Sequence, residues 1–214
     1  MTFFLDGDKM TMDMPLFFRK YLKISFNIIE KEDKIMAKII KKSEAEKRAM
    51  EFYDDNFNID NEIFVGNFAT NLSYILQKLN IKVIIKSLAE SQALAGGRLI
   101  SGALLKKGDN YTIFVEEAEA KERKRFTIAH EIAHKILNHI DTDEHVSISF
   151  RGKGFPIGDT DEDTAANAFA AALLMPERMI RHVYKLTSNV LTTARLMGVS
   201  ESAARYRLNT LKVL

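Results

Sequence analysis

The sequence predicts an α+β protein in which a small three-stranded sheet leads into a helical half. Short runs rich in β-branched residues, 81–85 and 111–115, lie between turn-forming stretches in the first half of the chain. From residue 122 onward the apolar residues recur with a helical period, over 122–139, 161–175 and several shorter segments to the C-terminus. Strands followed by a run of helices are typical of the α+β class.

The composition limits the class of protein. The chain has 214 residues, of which 46% are hydrophobic and 28% are charged, as in an ordinary globular protein. Its 31 basic and 29 acidic residues nearly balance, which argues against nucleic-acid binding as the main role. There is no cysteine, so disulfides are impossible and a metal would need nitrogen and oxygen ligands.

No apolar stretch approaches the roughly 20 residues that span a bilayer, so we expect no membrane partner. Asp6 and Asp8 interrupt the apolar start of the chain, unlike the unbroken apolar stretch of a secretory signal. We therefore predict a cytoplasmic protein. Residues 1–42 are interpreted as an N-terminal extension of unclear role.

Two helices are predicted before the first strand. Ser43 and Glu46 have capping-box spacing, which predicts a helix that begins there and runs to about residue 53. A second helix is predicted over 68–79, with Asn80 closing it.

Three strands are predicted next. The first covers 81–85, and a short one lies around Leu99 and Ile100, after a glycine pair. The third strand, Tyr111–Val115, follows a turn at 107–110.

The segment His130-Glu131-Ile132-Ala133-His134 indicates a metal site on the next helix. Two histidines four residues apart lie on one helix face, so both imidazoles can reach one tetrahedral zinc ion at about 2.0–2.1 Å. Glu131 is one helix step away and can act as a general base toward water at the metal. The alternative is a solvated pair of histidines on an ordinary helix.

A third ligand must come from elsewhere. The positions at which metzincins carry Gly and His are Leu137 and Ile140 here, which excludes that class. Acidic residues open the later helix at 161–163, and Asn167 follows, placed to hydrogen-bond a neighbouring ligand. The alternative is that these acids only favour the helix dipole.

Residues 125–134 and 166–176 together resemble the ImmA/IrrE-type family of intracellular zinc metallopeptidases, a gluzincin-like group. The resemblance covers about residues 43–211. It implies a zincin-like catalytic domain at 43–180, a Zn²⁺ cofactor, and cleavage of a partner transcriptional regulator. Such a partner would be a repressor or an antitoxin-like protein in a stress, phage or toxin–antitoxin context.

The family usually carries Glu at the position that is Asp163 here. Because aspartate is one methylene shorter, there are three alternatives. The helix that carries Asp163 lies closer to the histidines, Glu162 replaces Asp163 as the ligand, or the site binds metal more weakly. Asp163 is the predicted third ligand, with Glu162 in reserve.

One strand and two further histidines are candidates for substrate binding. The strand Tyr111–Val115 could be an exposed edge to which an extended peptide adds, or an ordinary interior strand. His139 and His145 could stabilise an oxyanion, although an exposed or capping role is the simpler interpretation of both. The same simpler interpretation applies to His182.

Residues 181–214 are predicted as a helical, helix-turn-helix-like segment. Gly198 permits the turn, Ser200 caps the last helix, and Arg205 and Arg207 make that helix basic. The alternative is a packing subdomain with Val199, Ala203, Leu208 and Leu211 turned inward. Two hypotheses follow: a zinc endopeptidase, or a non-catalytic zinc-containing regulator that binds DNA or a protein through this segment.

Overall fold

A computed structural model describes residues 41–57, 68–90, 99–139, 144–151 and 161–214. The predicted extension, residues 1–42, lies outside the described residues except for its last two positions. The residues from Lys41 to Leu214 form one compact unit. The proposed division of this unit at residue 180 stays a prediction.

The sheet has four strands in the described part of the chain: β1 (Ile81–Lys86), β2 (Leu99–Lys107), β3 (Asn110–Glu116) and β4 (Glu144–Arg151). Their order is β1-β3-β2-β4. β3 pairs with β1 in parallel and with β2 in antiparallel orientation, and β4 pairs antiparallel to β2. The three predicted strands are present, so the α+β class is confirmed, and β4 adds a fourth.

The expectation of helical structure throughout the second half is wrong at β4. Val146, Ile148 and Phe150 alternate with polar residues there, which is the period of a strand. The exposed-edge interpretation of Tyr111–Val115 is also wrong. Because β3 has a hydrogen-bonded neighbour on each side, it offers no free edge to a peptide.

Seven helices lie in the described residues. They are α1 (41–56), α2 (Leu72–Lys78), α3 (Lys121–Ile136), α4 (Asp161–Leu174), α5 (Glu177–Thr187), α6 (Val190–Met197) and α7 (Glu201–Thr210). α3 packs against β2 and β3 on one side and against α4 on another. The helix that carries the metal motif therefore lies at the centre of the fold.

Two predicted helix starts differ from the structure. α1 is already helical at Lys41, so Ser43 lies inside it. Glu46 does not form a capping box, because its carboxylate accepts a hydrogen bond from Arg207 at 2.9 Å. α2 begins at Leu72, because the Asn71 side chain accepts from the backbone N–H of Tyr74 and caps it.

The C-terminal helices have the local geometry that the sequence predicts. Gly198 is left-handed, with φ of 65°, and the Ser200 side chain accepts from the backbone N–H of Ala203 at the start of α7. The predicted basic face is wrong at Arg207, which is buried against Glu46. Arg205 pairs with Glu201 one turn earlier. The inward packing expected of this segment is observed, with Val199 and Leu208 buried.

Arg125 on α3 connects this C-terminal turn to the rest of the unit. Its Nε donates to the carbonyl of Gly198 at 3.1 Å, and its Nη2 donates to the carbonyl of Thr70 at 2.8 Å. Burial lowers the pKa of the Arg125 guanidinium below its ordinary value. Two backbone carbonyls still satisfy this half-buried cation, so α3 is held to both segments.

None of the helices in the described part of the chain is long and apolar enough to cross a lipid bilayer.

The buried ion pair between Glu46 and Arg207 predicts a stability effect. Glu46→Ala should lower the free energy of unfolding by about 3 kcal/mol, because it leaves the Arg207 guanidinium buried without its counter-charge. Glu201→Ala is the matched control. It removes the exposed partner of Arg205 on α7, the helix that also carries Arg207, and should lower the free energy of unfolding by less than about 1 kcal/mol. Urea unfolding measures both, and equal losses would contradict the structural role of the buried pair.

Candidate metal centre

The metal motif is buried in the middle of α3. His130 and His134 are each 4% exposed and Glu131 is fully buried. The apolar residues around them, Ala129, Ile132 and Ala133, are fully buried as well. Polar side chains enclosed in this way require compensating partners, because burying unpaired polar groups costs several kcal/mol.

Three ligand-type atoms converge beside this helix: Nε2 of His130, Nε2 of His134 and Oδ1 of Asp163. The two imidazole nitrogens are 3.1 Å apart. The carboxylate oxygen lies 3.7 Å from His130 Nε2 and 3.5 Å from His134 Nε2. The three atoms thus form a nearly equilateral triangle.

This triangle has the size that a tetrahedral metal ion requires. Ligand bonds of about 2.0–2.1 Å at an angle of about 109° place neighbouring ligand atoms about 3.3–3.4 Å apart. The three observed separations scatter around that value. One ion could therefore contact all three atoms and keep a fourth position for water or substrate, so the group is compatible with metal binding.

Asp163, and not Glu162, completes the cluster. Asp163 is half-buried at the first turn of α4, whereas Glu162 is exposed and is not part of the group of three. The shorter aspartate reaches because α4 packs closely on α3. Both helices are rich in alanine where they are buried, and small side chains let two helices approach closely: Ala129, Ala133, Ala165, Ala166, Ala168, Ala170 and Ala172.

Asn167 orients His130, as the sequence predicts. Its Oδ1 lies 2.9 Å from Nδ1 of His130 and accepts the proton of that nitrogen. The Nε2 atom then carries a lone pair that points at the cluster. A carbonyl-type oxygen behind a ligating imidazole also makes that imidazole a better ligand.

His139 has the corresponding contact with His134. The Nδ1 atoms of the two rings are 3.1 Å apart. Burial lowers the pKa of His139 below its ordinary value. Positive charge on His134 acts in the same direction, whereas Glu162 and Asp163 oppose it. A neutral His139 can accept the Nδ1 proton of His134, which leaves the Nε2 lone pair of His134 for a metal. Of the exposed or capping role expected for His139, the exposed position is wrong, because the residue is half-buried.

The end of α3 explains why these two rings meet. Asn138 has a left-handed φ of 56°. The N–H of His139 bonds to the carbonyl of His134 at 3.0 Å, and that of Asn138 bonds to the carbonyl of Lys135 at 3.3 Å. This is the Schellman arrangement, which brings the side chains of its first and last residues together. Asn138, a residue type that tolerates a left-handed backbone, is the feature of the sequence that could have predicted the contact between His134 and His139.

The other two histidines lie elsewhere. His145 is in β4, opposite Lys106 of β2. His182, on α5, packs beside Phe68 with ring centres 6.3 Å apart. His182 is not among the residues of the cluster.

β2 covers Glu131 from the sheet side. A Cβ atom at Gly102 would collide with Thr127 and would lie 2.8 Å from the carbonyl oxygen of Phe114. It would also lie 3.9 Å from Oε1 of Glu131. Glycine at this position therefore lets the backbone of β2 lie close to Thr127 of α3, one turn before Glu131.

Comparison with known proteins gives one finding on the class of this chain. A family model described as the IrrE N-terminal-like domain, Peptidase_M78, matches residues 76–209. The match includes every residue of the cluster together with Glu131, Asn167 and His139. No curated protein matches the chain.

The converging ligand atoms predict about one metal ion per chain in the purified protein. Asp163→Ala should abolish this occupancy, because two imidazoles alone hold a divalent ion weakly. Glu162→Ala is the matched control, one residue away on the same helix turn, and should retain the metal. Elemental analysis of the three proteins checks the prediction, and metal retained without Asp163 would contradict it.

The contacts behind the two imidazoles predict an effect on affinity. Asn167→Ala and His139→Ala should each weaken zinc binding by about 10–100-fold, because the ligand rings lose their orienting partners. His139→Gln should recover part of the loss, since its amide oxygen can accept the same proton. Competition against a chelator measures this, with His182→Ala as the control histidine. Unchanged affinity in His139→Ala would refute the orienting role.

Proposed function

Because this chain belongs to the Peptidase_M78 family of IrrE N-terminal-like domains, we propose that it is a zinc-dependent endopeptidase with Glu131 as its general base. The single observation that carries the proposal is the convergence of His130 Nε2, His134 Nε2 and Asp163 Oδ1 beside a buried glutamate on the same helix. A carboxylate next to such a cluster serves hydrolysis, whereas a structural site has no use for it.

Zinc is the proposed ion because two histidines with one carboxylate form the ligand set of many zinc hydrolases. The same ligand types also hold iron in some oxygenases, so the choice of zinc rests on the family and on the glutamate. Bound there, zinc would supply Lewis acidity that polarises a carbonyl group and lowers the pKa of water.

The protein side chains would then carry out the proton transfers. Glu131 accepts a proton from the attacking water while that water adds to the carbonyl carbon of the substrate. The same carboxylic acid returns the proton to the leaving amine as the carbon–nitrogen bond breaks, so Glu131 ends the reaction as the carboxylate with which it began. Asn167 and His139 keep the two imidazoles in the ligating orientation throughout.

We further propose a protein substrate of the kind that the family resemblance implies, a repressor or an antitoxin-like regulator. The rival hypothesis, a non-catalytic regulator that binds DNA through 181–214, finds less support. Arg207 is buried against Glu46, so it is not available for phosphate groups. Arg205 is exposed and pairs with Glu201 one turn earlier.

Replacing Glu131 tests the proposed chemistry. Glu131→Gln keeps the shape of the side chain but removes the proton acceptor, so cleavage should fall by about 10²–10⁴-fold. The metal content should stay unchanged. Mass spectrometry of a mixture of unstructured peptides, incubated with the zinc-loaded protein, measures cleavage.

Glu117→Gln makes the same chemical change at an exposed position and serves as the control. The proposed function would be wrong if the zinc-loaded wild-type protein cleaves no bond in the mixture. The role of Glu131 would be wrong if Glu131→Gln cleaves as fast as the control.

A further inference from the structure

A cavity of about 430 Å³ lies where α7 meets the two helices that carry the metal cluster. We call it the seam pocket. α3 contributes Phe126, α4 contributes Asn167 and Ala171, and α7 contributes Ala203 and Tyr206. A cavity of this size falls in the range of ligand-binding sites rather than packing defects.

The seam pocket lies beside the candidate metal centre, although none of the three residues of the cluster lines it. Asn167 lines the pocket with the same side chain that accepts the Nδ1 proton of His130. Phe126 lies one turn before His130 on α3, with ring centres 6.5 Å apart. The pocket thus begins one side chain away from the cluster.

The chemistry of the walls selects an apolar occupant. The inner wall consists of buried apolar residues, among them Leu174, Met175 and Val199. Two alanines on opposite walls, Ala171 and Ala203, leave the space open. Polar side chains line the pocket as well, and one of them, Arg207, is buried and paired with Glu46: Glu122, Arg123, Ser200, Ser202 and Arg207. An apolar interior with a few polar groups is the usual anatomy of a recognition pocket.

We propose that the seam pocket binds one large apolar side chain of the substrate, next to the peptide bond that is cleaved. This inference rests on the proposed peptidase function. A peptide extended across the cluster advances about 3.3 Å per residue, so a side chain adjacent to the reacting carbonyl can reach past His130 to Phe126 and Asn167. The C-terminal helices then serve substrate recognition, because α7 forms one wall.

The absence of tryptophan from this chain provides a direct binding assay. The zinc-loaded Glu131→Gln protein binds substrate without cleaving it. The probe is an acetylated and amidated hexapeptide of glycine and serine with one tryptophan, whose emission reports on the peptide alone. Matched peptides with leucine, alanine or aspartate at that position act as competitors.

We expect the tryptophan emission to shift to shorter wavelength on binding. The leucine peptide should displace the probe at a concentration at least about tenfold lower than the alanine or aspartate peptide requires, since burial of a large apolar side chain favours binding by this factor. Ala203→Leu, introduced into the Glu131→Gln protein, should fill the pocket and weaken probe binding by about tenfold or more. Ala171→Leu, from the opposite wall, should do the same.

Asn209→Leu is the matched control, because it adds the same side chain to an exposed position of α7. Zinc content and melting temperature should be equal in all these variants. The inference is overturned if the probe binds Ala203→Leu and Ala171→Leu as tightly as the control, or if the aspartate and leucine peptides compete equally.

A cleavage assay with the zinc-loaded protein distinguishes failure of this inference from failure of the proposed function. If the protein with Glu131 cleaves the peptide mixture, and Ala203→Leu cleaves the same bonds with the same preference, the seam pocket has no role in specificity and the peptidase proposal stands. If binding follows the expected pattern but no bond is cleaved, the peptidase proposal fails and the seam pocket remains a peptide-binding site.

Discussion

The close packing of α4 on α3 is the constraint on which the candidate site depends. α3 supplies two imidazoles one turn apart, but the third ligand atom and the partner of His130 both come from α4. A retreat of α4 by about 1.5 Å, the length of one carbon–carbon bond, would leave Asp163 short of the cluster. The alanines buried in both helices permit this approach, so Asp163 reaches the cluster although its side chain is one methylene shorter than the glutamate that the family resemblance implies.

The orientation of the two imidazoles has two separate origins. His130 is held from a neighbouring helix by Asn167, whereas His134 is held by His139 from the turn that ends its own helix. Each arrangement places a proton on Nδ1 and leaves Nε2 for a metal. Both contacts also provide polar partners for side chains that are almost fully enclosed, so the orienting contacts reduce the cost of burying the site.

The C-terminal helices have the local geometry of a helix-turn-helix but pack against the rest of the protein. Their turn at Gly198 and the cap at Ser200 are those of a helix-turn-helix. In this protein, however, α7 turns Arg207 inward to Glu46, and Arg125 bonds to the turn itself. The segment is thereby held to α1 and α3, and its inner face closes the seam pocket beside the metal cluster.

The sequence by itself determined the features that depend on neighbours along the chain. Helical spacing places His130, Glu131 and His134 together, and local caps end helices at Asn80 and start α7 at Ser200. Asn167 could be assigned as a partner of a ligand because it lies one turn after Asp163.

The tertiary structure decided what depends on approach between distant segments. It placed Asp163 rather than Glu162 at the cluster, turned Arg207 into the interior, paired Glu46 with it, and gave β3 a neighbour on both sides. Sequence spacing specifies which face of a helix a side chain occupies, but not how far away the next helix packs. That distance is set by the volumes of many side chains packed together, which no local pattern contains.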